Sequence, residues 1–331
     1  MRIRIVTDTW EPEINGVVRT LQTTARTLSA MGHDIRVVHA GMFGNIRFPL
    51  YQDIRLAFVP PSRLSPHLAD ADHVHIATEG PLGVSAALWL RRHRWAHSTS
   101  YHTDFPSYMW KYLRMPPSAS YRLLRTFHGW SRSVMVAAPS LRNQLEARGF
   151  RHVKRWSRGV DGKVFQPLPE RPTRSRPLAV YVGRVAREKN VEAFLRIDRP
   201  VDKMVVGDGP LLDRLRNAHP DVQFAGALHG AALAKAYAEA DVMIFPSLTD
   251  TFGLVMLEAL ACGTPVAAYP ADAPRDLLAD QLDIACLDED LGRAIDHCLT
   301  RTDRVACRRF AKEHTWERCT EQFYSNLVPI R

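Results

Sequence analysis

The chain reads as an α/β protein of two doubly wound domains, each a parallel sheet covered by helices. Three observations predict this. Short apolar, β-rich runs alternate with helical patterns over residues 1–150. A proline- and charge-rich stretch interrupts the alternation around residues 155–177. The alternation then restarts at Leu178. Strands separated by helices pair in parallel, because each crossover needs an element long enough to return to the same sheet edge. At 331 residues the chain has room for two such domains.

In order along the chain, Arg2–Thr7 is the first strand. Gly16–Met31 follows as a helix, with Val17, Val18, Leu21, Ala25 and Leu28 at near-helical spacing. Gly32-His33 stops it, and Asp34–Ala40 is the next strand. His73–Ala77 is another, followed by a Gly80-Pro81 loop and a helix over Leu82–His93. A further short strand leads into His102. Beyond the break, Leu178–Val182 is a strand, Val191–Leu195 a helix, Lys203–Val206 a strand and Pro210–Ala218 a helix. Val242–Phe245 and Pro265–Ala268 are buried strands. The segment from Thr315 to Leu327 is amphipathic. The expected division is a first domain over 1–157, a linker over 158–176, a second domain over 177–305, and a closing helix within 306–331 that packs back on the first domain. Two such domains predict a cleft, with ligand at the carboxyl ends of the strands.

A composition of 46% hydrophobic and 24% charged residues is that of a globular chain and excludes a disordered one. The longest apolar stretches, such as Gly83–Leu90, fall far short of the roughly 20 residues of a spanning helix. The opening Met1–Asp8 is too quickly polar for a secretory leader. The five cysteines (262, 286, 298, 307 and 319) are odd in number and form no CxxC pair. That pattern predicts reduced thiols and a cytoplasmic location, with no disulfide framework and no zinc site. The net charge of +9 is concentrated in Arg91–Arg94, Lys111–Arg132, Arg148–Arg158 and Arg171–Arg176. Such a surface attracts nucleic acid or anionic lipid. No recognition-helix, RNP-like or zinc-finger pattern accompanies the charge, so a nucleic-acid partner is not expected.

The stretch from Pro246 to Leu260 carries the most chemistry. A strand ends, a polar loop follows, and a helix opens, with Asp250 before the helix and Glu258 inside it. Free N–H groups at a helix start, flanked by two carboxylates, suit a ligand with hydroxyls at both ends and phosphate between them. A sugar nucleotide is such a ligand. Arg184 and Lys189 follow a strand and Gly183, and supply two cations for a diphosphate. Gly16 opens a helix after a polar loop, and its missing Cβ lets backbone approach a phosphate.

Five motifs in order resemble one family. They are Thr7–Arg19, Tyr101-His102-Thr103-Asp104-Phe105, Gly183–Asn190, Val206-Gly207-Asp208-Gly209-Pro210, and Asp250 to Glu258, where the family has an acid, seven residues and Glu. The chain resembles the retaining glycosyltransferases of the GT-B fold, family 4, from its first strand to its last helix. Its Asp-Thr-Phe-Gly is similar to the mannosyl-, sulfoquinovosyl- and glycolipid-type branches.

The resemblance implies two Rossmann-like domains and transfer of a hexosyl unit from a UDP- or GDP-linked sugar to a lipid or glycan acceptor. It implies that Arg184 and Lys189 stabilise the leaving diphosphate in place of a metal, so no cofactor is expected. Glu258 would hold the ribose hydroxyls, and Asp250, one methylene shorter than the family's usual Glu, would meet donor-sugar hydroxyls. Gly16, Gly183 and the N–H groups of Phe252, Gly253 and Leu254 would complete the donor site. His102 would contact the sugar near the reacting carbon, and Asp104 and Glu79 are acceptor-side candidates. The implied chemistry is front-side attack with closure of the domains. Asp70-Ala71-Asp72 has the shape of a metal-binding DxD, but it lies in the first domain, away from the donor half.

The segments Tyr108–Met115 and Tyr121–Trp130 mix aromatics, aliphatics and Arg at helical spacing. They suit either the domain core or an anionic membrane surface, which would place the protein on the inner membrane face. Two rival readings stand beside this one. A sugar-nucleotide epimerase or glycogen-synthase-like polymerase would share the fold, and donor-only product analysis separates the epimerase. A non-catalytic nucleotide-sugar or nucleic-acid binder would show no turnover.

Overall fold

The computed structural model describes residues 1–13, 15–48, 51–102, 106, 109 and 114–331. The chain forms two units, one of Met1–Ser157 with Trp316–Arg331, the other of Arg158–Thr315.

The first unit opens with β1 (Arg2–Thr7), α1 (Gly16–Ala30) and β2 (Asp34–His39), followed by a β3–β4 hairpin (Ile46–Phe48, Tyr51–Leu56). A short turn α2 (Ser65–Leu68), β5 (His73–Ile76), α3 (Pro81–Arg92), β6 (Ser98–Tyr101) and α4 (Pro117–His128) come next. The run ends with β7 (Ser133–Val136), α5 (Pro139–Ala147) and β8 (Val153–Arg155). Its six-stranded sheet runs β2-β1-β5-β6-β7-β8, parallel throughout. β1 is buried on both faces from Ile3 to Thr7, with Ile3, Ile5 and Val6 fully covered.

Arg4, on the same strand, is also fully buried. Its guanidinium binds Asp34 at 2.9 Å and Asp70 at 2.7 Å, and the two carboxylates compensate the buried charge. Asp72 pairs with Arg2 at 3.0 Å. The Asp-Ala-Asp segment is therefore a clamp on the first strand.

The second unit holds β9 (Leu178–Val182), α6 (Val191–Leu195), β10 (Asp202–Val206), α7 (Leu212–Ala218), β11 (Gln223–Gly226), α8 (Gly230–Glu239) and β12 (Val242–Phe245). It continues with α9 (Leu254–Ala261), β13 (Val266–Ala268), α10 (Asp272–Leu278), β14 (Ala285–Leu287), α11 (Leu291–Arg301) and α12 (Arg304–Lys312). Its parallel sheet runs β11-β10-β9-β12-β13-β14. Residues 158–176 belong to this unit. Phe165 is buried with its ring 6.1 Å from Tyr237, and Arg171 and Arg304 donate to the carbonyls of Ala238 and Ala240 at the end of α8. Cations at a helix carboxyl end satisfy its orphan acceptors.

The closing segment is two helices. Lys312 ends α12 in the second unit, and α13 (Trp316–Asn326) packs in the first. Phe323 of α13 is fully buried, 4.8 Å from the His75 ring and 4.7 Å from that of Trp156. Beyond the helix, the Ile330 amide donates to the Asp72 carbonyl and its own carbonyl accepts from Ala96. All five cysteines are free thiols, and burial pushes Cys262 and Cys307 up to about 12. Among the described residues, no helix is long and apolar enough to cross a membrane.

Candidate functional site

In the second unit the strand order reverses between β9 and β12, where the chain passes from one side of the sheet to the other. Such a switch point opens a crevice at the carboxyl ends of the two strands. The loop after β9 carries Gly183, Arg184 and Lys189, and the loop after β12 carries Asp250, Phe252 and Gly253. Side-chain contacts join them, among them a Thr249 Oγ1 bond to the Glu188 carbonyl at 3.4 Å. The Lys189 ammonium pairs with the Asp250 carboxylate, and Asn190 Nδ2 donates to the Pro246 carbonyl at 3.1 Å. Asn190 reaches this position by adopting a left-handed backbone, φ 55°.

The glycines explain how the first loop holds its shape. Gly207, just past β10, has φ +144°, and a Cβ there would collide with the Gly183 carbonyl oxygen. Gly209 also lies close to the next turn, where a Cβ would stand 2.5 Å from the Val185 carbonyl oxygen. The Val-Gly-Asp-Gly-Pro motif thus packs backbone on backbone against Gly183–Val185. Tyr181 Oη donates to the Arg184 carbonyl at 2.8 Å. Burial first, and then the charges of Asp250 and Glu188, raise the Tyr181 hydroxyl well above its ordinary range, so it stays a protonated donor.

Gly253 caps α9 in the left-handed conformation, φ 77°, without a capping side chain. A Cβ would stand 2.8 Å from Met256 Cε and 2.9 Å from Phe245 Cζ. The helix therefore begins with N–H groups that no residue-253 side chain occupies. Glu258, one turn further, is only 4% exposed. Tyr237 Oη of α8 donates to its Oε2 at 3.1 Å. Ser247, also buried, has no hydrogen-bond partner for its Oγ among the described residues.

In the first unit the order reverses between β1 and β5. The loop after β1 leads to Gly16, whose side is open, with no atom within 4 Å of a Cβ placed there. Asn15 caps α1, accepting from the Val17 and Val18 amides at 3.0 Å each. Asp8, from the same loop, reaches across the switch point. Its carboxylate accepts from Thr78 Oγ1 at 2.7 Å and from the Leu82 amide at 2.9 Å. Burial overrides these bonds and raises its pKa to about 6.

His102 follows β6, and its Nε2 lies 2.9 Å from Ser100 Oγ. Glu79 follows β5, and its Oε1 lies 3.2 Å from His128 Nε2 at the end of α4. His128 Nδ1 is in turn 2.9 Å from Thr99 Oγ1. Asp104 lies outside the described residues, as does most of 108–115.

The structure brings Gly183, Arg184, Lys189, Asp250, Phe252, Gly253, Leu254 and Glu258 to one switch point of the second unit. His102, Glu79 and Gly16 belong to the first. Sequence reasoning missed Tyr181, Tyr237, Asp8 and His128. Three of them are buried polar groups inside otherwise apolar or helical patterns, and Asp8 sat unremarked within the first motif.

Residues 14–163 match the family described as Glycosyltransferase Family 4, and residues 176–301 match Glycosyl transferases group 1. A GDP-mannose-dependent alpha-mannosyltransferase of Mycolicibacterium smegmatis is 32% identical, covering 96% of this chain and 94% of its own. One from Corynebacterium glutamicum is 28% identical, covering 100% of this chain and 90% of its own. Among solved structures, sucrose-phosphate synthase from Thermosynechococcus elongatus shares the fold, with a TM-score of 0.76 at 19% identity over 98% of this chain and 97% of that one. With two Rossmann-like parallel-sheet units and family matches across both, this chain belongs to the family 4 (group 1) glycosyltransferases of the GT-B fold and is a glycosyltransferase.

Proposed function

We propose that the protein is a retaining mannosyltransferase that moves mannose from GDP-mannose to a lipid or glycan acceptor. The observation that carries this reading is the Lys189–Asp250 pair at the switch point of the second unit, with Arg184 on the same loop as Lys189 and the open start of α9 on the same loop as Asp250. A diphosphate there has a bidentate guanidinium, an ammonium and helix N–H groups. The full-length likeness to GDP-mannose-dependent alpha-mannosyltransferases supports the choice of donor. GDP-mannose is itself α-linked, so an enzyme that makes an α-mannoside from it retains configuration.

In this reading Glu258 holds the ribose hydroxyls, with Tyr237 fixing its carboxylate. Asp250 exchanges Lys189 for hydroxyls of the sugar, and Lys189 turns to the phosphate. Gly183 and the Phe252–Leu254 amides line the donor, Gly16 lets backbone approach it, and His102 meets the sugar near its anomeric carbon. The acceptor oxygen attacks that carbon on the face the phosphate leaves. The carbon–phosphate oxygen bond breaks, the new glycosidic bond forms, and the acceptor's proton passes to the departing phosphate oxygen. Orientation and diphosphate stabilisation supply the rate.

Glu79 and Asp104 serve the acceptor. A lipid acceptor is favoured by α4, where Arg122, Leu123 and Arg125 are exposed. Beside them is a hollow of about 420 Å3, lined by Tyr121, Arg122, Arg125 and Arg148. Cations around an aromatic at a surface suit anionic lipid headgroups and peripheral binding.

The test is incubation with GDP-mannose and anionic vesicles containing diacylglycerol, with the product's anomeric configuration read by NMR. An α-mannosylated product supports the reading. A β-linked product overturns retention, and a changed sugar nucleotide released without an acceptor favours the epimerase.

A further inference from the structure

Glu79 follows β5, in the loop at the switch point of the first unit. The segment around it is pinned on both sides by Asp8, from the loop after β1. The Asp8 carboxylate accepts from Thr78 Oγ1 at 2.7 Å and from the Leu82 amide at 2.9 Å. Between those two residues Gly80 presses on the same carboxyl, and a Cβ there would stand 2.4 Å from Asp8 Cγ. A segment fixed this closely gives the side chain at 79 a defined origin.

The side chain is pinned as well. Glu79 Oε1 lies 3.2 Å from Nε2 of His128, whose side chain is 1% exposed against 11% for Glu79. The His128 ring stands edge-to-face to Phe127 at 5.0 Å, with Phe150 at 5.8 Å. Its Nδ1 is 2.9 Å from Thr99 Oγ1. Ser131 Oγ, 3.1 Å from the same Thr99 oxygen, donates to the His128 carbonyl at 2.7 Å. The imidazole is thus gripped at both nitrogens and at its own backbone. A carboxylate only accepts, so the hydrogen in the Glu79 contact sits on His128 Nε2.

The two oxygens of Glu79 differ. Oε1 is committed to His128. Oε2 receives no hydrogen bond among the described residues, and it is not one of the polar atoms sealed from solvent. A carboxylate with one oxygen fixed and the other open presents an acceptor in a set place to a donor arriving from solvent. A hydroxyl is such a donor.

We propose that His128 is a positioning residue that holds Glu79 by Oε1 so that Oε2 accepts a hydrogen bond from a hydroxyl of the acceptor substrate. This rests on the reading that Glu79 serves the acceptor. Without His128 the Glu79 side chain would move among rotamers, and the acceptor would have to order it on binding. The loss falls on the acceptor and spares the donor, because the contacts of Glu79 and His128 are with Thr99, Tyr101, Phe127 and Phe150 and with no donor-site residue.

The experiment is steady-state GDP release from GDP-mannose with two acceptor probes, diacylglycerol in anionic vesicles and methyl α-mannoside in solution, using whichever the wild type mannosylates. His128→Asn keeps a polar amide but cannot reach Glu79, and is expected to raise the acceptor KM about tenfold while the KM for GDP-mannose changes less than about threefold. His128→Gln, whose longer amide puts an N–H where Nε2 stood, is expected to restore the acceptor KM. Glu79→Gln is expected to raise it as much as His128→Asn, and the double variant no further, because the two residues act as one unit. Additive losses, or an unchanged acceptor KM in His128→Asn beside a raised one in Glu79→Gln, would overturn the positioning role alone. An unchanged acceptor KM in Glu79→Gln, or mannosylation of neither probe by the wild type, would overturn the acceptor reading beneath it. Two-bond 1H–15N correlation NMR of histidine-labelled wild type, with His128 assigned by its loss in His128→Gln, is expected to show Nε2–H. An Nδ1–H pattern would overturn the proposal even if His128→Asn does not fold.

Discussion

The Lys189 ammonium and the Asp250 carboxylate form an ion pair that bridges the loops after β9 and β12. Their side chains are 27% and 19% exposed, so the pair is neither sealed in the core nor free in solvent. Two residues 61 positions apart in sequence, taken from two different motifs, meet at the switch point. In the proposed reading, each holds the other where the donor's phosphate and hydroxyls would bind.

Lys189→Ala is expected to lower kcat and kcat/KM together by about a hundredfold, the signature of an interaction made in the transition state. Stability should fall by less than about 1 kcal/mol, as for a partly exposed pair. Steady-state kinetics beside urea unfolding separates the two. A KM effect alone would contradict the phosphate role.

Tyr237→Phe removes the hydroxyl that donates to the buried Glu258 carboxylate. Leaving a buried carboxylate short of a partner costs about 1–3 kcal/mol. The variant should melt several degrees lower and lose part of the stabilisation that GDP gives the wild type. Calorimetry with and without GDP reads both.

Gly207→Ala would force a Cβ into the Gly183 carbonyl at a backbone angle that favours glycine. The loop carrying Arg184 and Lys189 would have to move. Loss of nucleotide binding is expected in protein that retains most of its helical circular dichroism, because the displaced loop lies outside the sheet. Normal binding would contradict the packing account.

Asp8 gives a pH dependence of known sign. Its folded pKa of about 6 lies above the ordinary value of 3.8, so the fold favours the protonated form. The stability it contributes is present below about pH 4 and is lost as pH rises through 6, a change of roughly 2–3 kcal/mol by linkage. Asp8→Asn should flatten that fall between pH 4 and 7. Chemical unfolding at a series of pH values, wild type against variant, measures it. Parallel curves would mean the carboxyl is not shifted.

Strands with an apolar signal were legible in the sequence. Arg2–Thr7, Leu178–Val182 and Val242–Phe245, and the helix Val191–Leu195, have the bounds that their patterns indicate. The bounds of Ser98–Tyr101 were not legible, because Ser-Thr-Ser reads as loop and only tertiary hydrogen bonds make it a core strand. The β3–β4 hairpin lacked a tight-turn dipeptide. The amphipathic stretch Thr315–Leu327 is the helix Trp316–Asn326 in the first unit, whereas residues 306–312 of the expected closing segment belong to α12 in the second. Asp250, Glu258, Arg184 and Lys189 could be named from motif spacing. Their partners could not, since Tyr237 is 21 residues from Glu258 and no local pattern links them.

The central claim is that the switch point of the second unit binds a guanosine diphosphate. Thermal unfolding with GDP, UDP and ATP, each at a hundred times its expected dissociation constant, tests it most directly. Binding at that excess adds about 2.7 kcal/mol, enough to raise a midpoint by several degrees. The account predicts a rise with GDP that Lys189→Ala and Gly207→Ala diminish, and none with ATP. A rise with UDP alone, or with none of the three, would contradict it.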